Sequence, residues 1–292
     1  MKIIFMGTPD FAVPALDALR SAGHEIACVF TREDKPRDRG KKIKPPPVKE
    51  YAEAHGIEVF QPFSLRKGED AKKSLEKIKS IAPDVIIVAA YGQILPKEIL
   101  ELPKYGCVCV HASLLPRWRG ASPINCAVIS GDKQSGVTIM QMDEGIDTGD
   151  MLLWESCEIT DTMTASELHD ELKIIGARLI VKFAENPEEY IKRRTVQDNS
   201  RATYAPLITK DMKKIDWNKS AREINNFIRG MSGEAFTFLN NKRLKAYASE
   251  IIPEKQTVLD FICGDNYILR LTEIQPEGKN KMKAEDFLRG YK

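Results

Sequence analysis

No apolar run in the 292 residues approaches the ~18 needed to cross a bilayer, so a membrane-spanning role is not expected and the chain reads as soluble. The opening MKIIFMGTPDF has a short apolar stretch without a leader-type core and small-residue cleavage site, and reads as a first strand. Histidine is scarce, with four in the chain, and no paired C-x-x-C accompanies it, which disfavours a zinc site in spite of six cysteines. Without a sign of secretion, those cysteines belong to a reducing cytoplasm. Two glycine-rich phosphate loops are also missing. Gly7 is followed by Thr8, Pro9 and Asp10, not by G-x-G-x-x-G, and no G-x-x-x-x-G-K-[ST] occurs, so a nicotinamide cofactor and nucleotide hydrolysis both lack their usual seat. A net charge of only +2 names no partner by itself.

What is there is unevenly placed. Residues 32–49 hold eight Lys/Arg against three Asp/Glu, and residues 188–292 hold twenty against fifteen, so each segment is +5 and the remainder is −8. Basic charge set apart from an acidic body suits a polyanion-binding surface, although solvated Lys-rich loops would look the same. Length allows one large and one small domain. Over the first part, KIIFMG, EIACVF, EVFQP, DVIIVAAYG, CVCVHA, GVTIMQM and MLLWESCEI read as strands, separated by amphipathic stretches such as EDAKKSLEKIKSIA. That alternation predicts an α/β fold with a doubly wound, mostly parallel sheet covered on both faces. From about residue 187 the pattern becomes polar and aperiodic, as in a linker crossing the surface. A helix, SAREINNFIRGM, and short strands then suggest a small β-barrel of the oligonucleotide-binding type. The expected limits are 1–187 for the larger domain, 188–206 for the linker and 207–292 for the smaller domain.

Open parallel sheets bind ligands beyond the carboxyl ends of their strands. Four such ends carry GTPD, YGQILP, HASLLPRWRG and DEGIDTGD. Residues two apart on a strand share a face, which puts Cys107, Cys109 and His111 on one side and Val108 and Val110 on the other. A Cys109–His111 nucleophilic pair is weak, because such positions are about 6.7 Å apart, and Cys107 reads as a small core residue. His111 differs because it ends its strand, and the acidic loop with Asp143, Glu144, Asp147 and Asp150 is expected to arrive beside it. A carboxylate against an imidazole fixes its tautomer and equips it for proton transfer near neutral pH.

The segments MGTPDFAVPAL, AAYGQILP, VHASLLPRWRGASPI, GVTIMQMDEGIDTGDML, DRGKKIKPPPVK, IRGM and IQPEGK together resemble the methionyl-tRNA formyltransferases, a branch of the folate-dependent formyltransferases, over nearly the whole chain. The resemblance implies 10-formyltetrahydrofolate as formyl donor, no metal, and the α-amino group of methionine on initiator tRNA as acceptor, in translation initiation. By position it puts the catalytic histidine on His111 and the catalytic aspartate on Asp147. The third catalytic position, an asparagine in the family, falls on Cys109, whose S–H is a weaker donor to a developing oxyanion. It implies a folate site at Tyr91, Gly92, Ile94, Leu95, Ser113, Leu114, Leu115, Pro116, Asp143 and Glu144, with Leu114, Leu115 and Pro116 as an apolar wall and Tyr91, Ile94 and Leu95 nearby. Its tRNA contacts fall on Arg39, Lys41, Lys42 and Lys44. Trp118 is expected to close its loop more than to stack on substrate. The C-terminal part departs from the family's pattern, with GMSGEA between Arg229 and Phe236 and a shortened stretch from Pro253 to Cys263. A monomer is expected. Two other readings remain: a formyltransferase for a small amine such as a nucleotide-sugar or glycinamide ribonucleotide, and a folate- or RNA-binding homologue without turnover.

Overall fold

The computed structural model describes residues 1–37 and 42–290. Among the described residues the first part of the chain builds one seven-stranded sheet. Its strands are β1 (Lys2–Gly7), β2 (Glu25–Phe30), β3 (Val59–Phe60), β4 (Val85–Ala89), β5 (Cys107–His111), β6 (Gln134–Gln141) and β7 (Met151–Glu158), in the order β7-β6-β5-β4-β1-β2-β3. From β3 to β5 neighbouring strands are parallel, and β6 runs antiparallel to β5. The sheet is the expected doubly wound, mostly parallel one.

Burial on both faces explains the unbroken apolar runs, since a strand covered by helices on both sides has no solvent face to alternate with. All five residues of β4 are buried. Helices α1 (Val13–Ser21), α2 (Pro47–Ala54), α3 (Gly68–Ile81), α4 (Lys97–Leu100), α5 (Pro123–Ile129), α6 (Ala165–Glu185) and α7 (Pro187–Lys192) follow in chain order. On one face Ile4, Met6, Phe30, Ile86, Val88 and Cys107 form a common core. On the other, α6 comes close to β5 at Gly176, where an added Cβ would stand 2.8 Å from Val110 Cγ1. Val110 is therefore held under a helix, and the alternate residues Cys109 and His111 face away from it. Register places His111 opposite Thr138 of β6 and Cys109 opposite Met140.

The stretch after α6, expected to be a polar linker, has more structure than its composition suggests. It carries α7, an antiparallel bridge from Thr195 to Met151, and a buried Gln197. By contact density one compact unit comprises Met1–Arg119, Gly136–Cys157 and Asp170–Tyr204. The other comprises Gly120–Ser135, Glu158–His169 and the chain from Ala205 on.

In that second unit α8 (Ala221–Met231) opens with a capping box, in which the Ser220 side chain accepts from the Glu223 N–H and Glu223 Oε2 accepts from Ser220 N at 2.9 Å. The segment noted as short turns through Ser232 and Gly233, with φ of 44° and 84°, directly into the next strand. Strands β8 (Phe236–Leu239), β9 (Lys242–Ile252), β10 (Asp260–Ile262), β11 (Ile268–Pro276) and β12 (Met282–Lys283) form an antiparallel sheet in the order β8-β9-β11-β10, with β12 also on β11. A last helix, α9, spans Ala284–Arg289. The apolar stripe of α8, Ile224 and Ile228, packs with Leu244, Leu269, Leu271 and Ile274 of the sheet. Asp260, 1% exposed, is met there by Arg270 Nε at 2.8 Å, Arg270 Nη2 at 2.9 Å and the N–H groups of Gln256 and Thr257 at 2.7 Å each.

Candidate active site

β5 delivers His111 to the crevice beyond the sheet's carboxyl edge, and the residue is only 6% exposed. Its Nε2 lies 3.0 Å from the main-chain oxygen of Trp118. A carbonyl can only accept, so Nε2 carries a proton and Nδ1 is the nitrogen turned toward Asp147. Asp147 Oδ2 stands 3.5 Å from Nδ1, with 18% of the side chain exposed. That separation exceeds an ordinary N–H···O bond, as befits a neutral ring whose Nδ1 presents a lone pair, not a proton, to the carboxylate.

Asp147 reaches this place because its loop is wound tightly. Asp143 Oδ1 accepts from the N–H of Gly145 at 3.0 Å and from Thr148 Oγ1 at 2.7 Å, an Asx-type turn. A Cβ at Gly149 would run into the Gln141 carbonyl, so no side chain fits there. Asp147 itself sits at φ 53°, a left-handed conformation that aspartate tolerates better than most residues. The D-x-G-x-D-T-G spacing thus has a physical reading. Its first aspartate and its threonine tie the loop, its glycines clear the backbone, and its second aspartate is presented to the imidazole.

The remaining site residues divide into groups. Ser113 is buried and its Oγ donates to Arg117 O at 2.6 Å. Thr138 Oγ1 donates to Ser113 O at 2.7 Å and accepts from the Leu115 N–H at 3.1 Å, which fastens the segment after His111 to β6. Leu115 is buried, whereas Leu114 and Pro116 keep part of their surface. Tyr91 and Leu95 belong to the sheet's core cluster, 1% and 4% exposed. Burial pushes the Tyr91 phenol up, and Gln93 Nε2 donates to it at 3.3 Å. Gly92 and Ile94 are exposed beyond the end of β4. Asp143 is exposed and engaged within its own loop, and Glu144 lies 3.6 Å from Lys97 Nζ. Trp118 acts mainly through its backbone, taking φ 61° and accepting from His111, while the Arg117 guanidinium lies 4.6 Å from its ring centroid.

Cys109 keeps some accessible surface, yet protein atoms crowd its thiol. Burial pushes that thiol above its ordinary range, and the nearby Asp147 charge adds to the effect. It stays S–H at neutral pH. Of the basic residues, Arg39 and Lys41 lie outside the described residues. Lys42–Lys44 forms a short antiparallel pair with Lys35–Arg37, and Lys44 is exposed. Among the described residues no group of three or more His, Cys, Asp or Glu could hold a metal ion. A groove of about 530 Å³ bordered by Leu244, Met282, Phe287 and Arg243 is lined wholly by the second unit's residues.

Three contributors escape sequence reading: Arg119, Gln197 and Thr203. Arg119, 2% exposed, donates to Gln197 Oε1 from Nε at 3.0 Å and from Nη2 at 2.8 Å. Thr203 holds the backbone on either side of the Trp118 carbonyl, by Oγ1 from Trp118 N and by its carbonyl from Arg119 N, both at 2.9 Å. Periodicity carries no signal for such polar residues in an aperiodic stretch.

An imidazole and a carboxylate thus meet near the end of a strand of a doubly wound sheet, the region where folds of this architecture hold their ligands. Residues 1–183 match the family described as formyl transferase, and residues 207–292 match the formyl transferase C-terminal domain. A methionyl-tRNA formyltransferase of Alkaliphilus oremlandii (strain OhILAs) is 48% identical, over 99% of this chain and 96% of its own length. That of Clostridium novyi (strain NT) is 47% identical, over 99% of this chain and 97% of its own. The crystal structure of the N-formyltransferase from Helicobacter canadensis, in complex with folinic acid and dTDP-3-aminofucose, superposes with a TM-score of 0.69. It is 20% identical and covers 94% of this chain and 99% of that one. The chain belongs to the formyl transferase family.

Proposed function

We propose that this protein transfers a formyl group from 10-formyltetrahydrofolate to the α-amino group of methionine esterified to initiator tRNA, in the cytoplasm, as methionyl-tRNA formyltransferase. Residues 1–187 serve as the catalytic domain and residues 207–292 as a tRNA-binding β domain, joined through 188–206. The observation that carries the reading is the approach of His111 Nδ1 and Asp147 Oδ2 to 3.5 Å across 36 positions of sequence. It stands beside relatives of the same name at nearly half identity over nearly the full chain.

Formyl transfer between two nitrogens makes three demands. The neutral amine must reach the formyl carbon, negative charge on the formyl oxygen must be stabilised, and a proton must pass from the entering to the leaving nitrogen as the old C–N bond breaks. His111, with its proton on Nε2 held by the Trp118 carbonyl and Nδ1 toward Asp147, is placed to serve the proton step. Asp147 orients the ring and balances charge gained by it. Cys109, on the same strand face, occupies the position from which a donor would meet the formyl oxygen. The partly exposed Leu114 and Pro116 and the exposed Ile94 fit the apolar body of a pterin at the rim. The basic stretch with Arg39, Lys41, Lys42 and Lys44 would meet tRNA phosphates.

Incubation of the purified protein with the formyl donor and charged initiator tRNA, with and without Cys109→Asn, tests this. Formyl transfer by the unsubstituted protein is expected and rejects a binding-only role. Transfer to a nucleotide-sugar amine or glycinamide ribonucleotide, with none to the charged tRNA, overturns the proposal.

A further inference from the structure

The segment from Thr195 to Thr203 is almost wholly polar and exposed, yet it turns Val196 outward, 76% exposed, and Gln197 inward, 5% exposed. Burying an amide in place of a neighbouring aliphatic side chain is unfavourable unless its hydrogen bonds are made. They are made completely. Gln197 Nε2 donates to the carbonyls of Asp147 at 2.9 Å and Gly149 at 2.7 Å, and Oε1 accepts twice from Arg119, at 3.0 Å and 2.8 Å. With guanidinium N–H groups on one side and carbonyls on the other, the amide has one allowed orientation. Arg119 is held in turn, its Nη2 donating to Asn199 Oδ1 at 2.8 Å.

We infer that Gln197 is a positioning residue for the proposed His111–Asp147 couple, clamping the left-handed backbone of Asp147 so that its carboxylate meets the imidazole. The inference rests on the function proposed above. Gln197 touches neither His111 nor a reacting atom in this arrangement. It acts on the peptide that carries Asp147, while Thr203 of the same segment holds the backbone around the carbonyl that fixes His111 Nε2. One polar segment therefore sets both supports of the imidazole, and Arg119, next in sequence to Trp118, ties the two together.

Gln197→Glu keeps the shape and the acceptor for Arg119 but turns an oxygen toward the two carbonyls. Gln197→Met keeps the length and removes every hydrogen bond. Each variant is expected to lower kcat at least about tenfold, with KM for donor and charged tRNA within about threefold, because misplacement of an oriented group by about an ångström is felt in the chemical step. In an Asp147→Asn background the same substitutions should cost about twofold or less, since residues acting through one group are not additive. A merely structural role would persist undiminished in that background. Ring-nitrogen NMR of His111 supplies a readout independent of turnover, and the Nδ1 resonance should move in both variants toward its position in Asp147→Asn. If the unsubstituted protein formylates no amine, the functional reading fails and the NMR comparison still decides the positioning. An unmoved His111 spectrum, a kcat loss that survives in Asp147→Asn, or failure of both variants to fold overturns the inference.

Discussion

Asp147 at the rim of the parallel sheet and Asp260 in the C-terminal sheet each face a nitrogen-bearing side chain, the first 3.5 Å from His111 Nδ1 and the second 2.8 Å from Arg270 Nε. Asp260 has no exposed side-chain surface and is met by a bidentate guanidinium and two backbone N–H groups. Asp147 keeps 18% of its side chain exposed, on a backbone held in a left-handed turn. Burial alone would raise the Asp260 carboxyl, but Arg270 and the N–H groups of Gln256 and Thr257 more than offset it and hold it well below the usual carboxylate range. A carboxylate surrounded this way fastens a fold, and one left open at a crevice can exchange partners with a substrate.

The largest effect that separates the two belongs to Asp260. Asp260→Asn leaves the partly exposed Arg270 guanidinium facing a neutral group and weakens charge-assisted hydrogen bonds to a buried position, and should destabilise the protein by about 2–3 kcal/mol in chemical denaturation, with formyl transfer per folded molecule unchanged. Its signature includes pH. A carboxyl whose folded value is depressed contributes stability that is complete above the unfolded value of about 3.9 and is lost as pH falls toward the folded value. The unsubstituted protein should therefore lose stability below about pH 4 more steeply than Asp260→Asn does.

The opposite pattern is expected at the rim. His111→Ala and Asp147→Asn should each cut turnover at least about a hundredfold, as loss of an acid–base group does, with the melting temperature barely changed. Near-normal turnover in both would place the reacting centre elsewhere. A smaller effect sharpens the same contrast: Cys109→Asn replaces a weak S–H donor by an amide and should raise turnover by about tenfold, part of the hundred- to thousandfold associated with one such donor. Smallest is the effect at the basic residues 39–44. Arg39→Ala combined with Lys42→Ala should weaken tRNA binding and flatten the slope of log affinity against log salt by about 1 to 2, leaving folate affinity alone. An unchanged slope would move the phosphate contacts away from these residues.

The contrast also separates what could be read in the sequence from what could not. The parallel sheet was legible because its strands are buried on both faces and appear as unbroken apolar runs, and His111 was legible because it ends one. The meeting of His111 with Asp147 was anticipated on the expectation that their strands end at one edge; β6 instead runs antiparallel to β5, with Gln141 opposite Val108, and it is the loop after β6 that brings Asp147 back to the imidazole. Tyr91 and Leu95 were expected near the folate, and whether a residue just past a strand turns into the core, as these two do, is decided by nothing local. Gln197 was invisible for a further reason. Its partners are 50 and 78 positions distant, it sits in a stretch without period, and its inward turn beside an outward Val196 inverts the ordinary rule of burial.

The crowded thiol of Cys109 has a chemical corollary. Peroxide and alkylating reagents attack thiolates, and a sulfur kept protonated by its surroundings and by a neighbouring anion offers almost none. A cysteine beside a histidine would ordinarily be a candidate for oxidation. Here the same environment that makes it a poor nucleophile shields it from that fate.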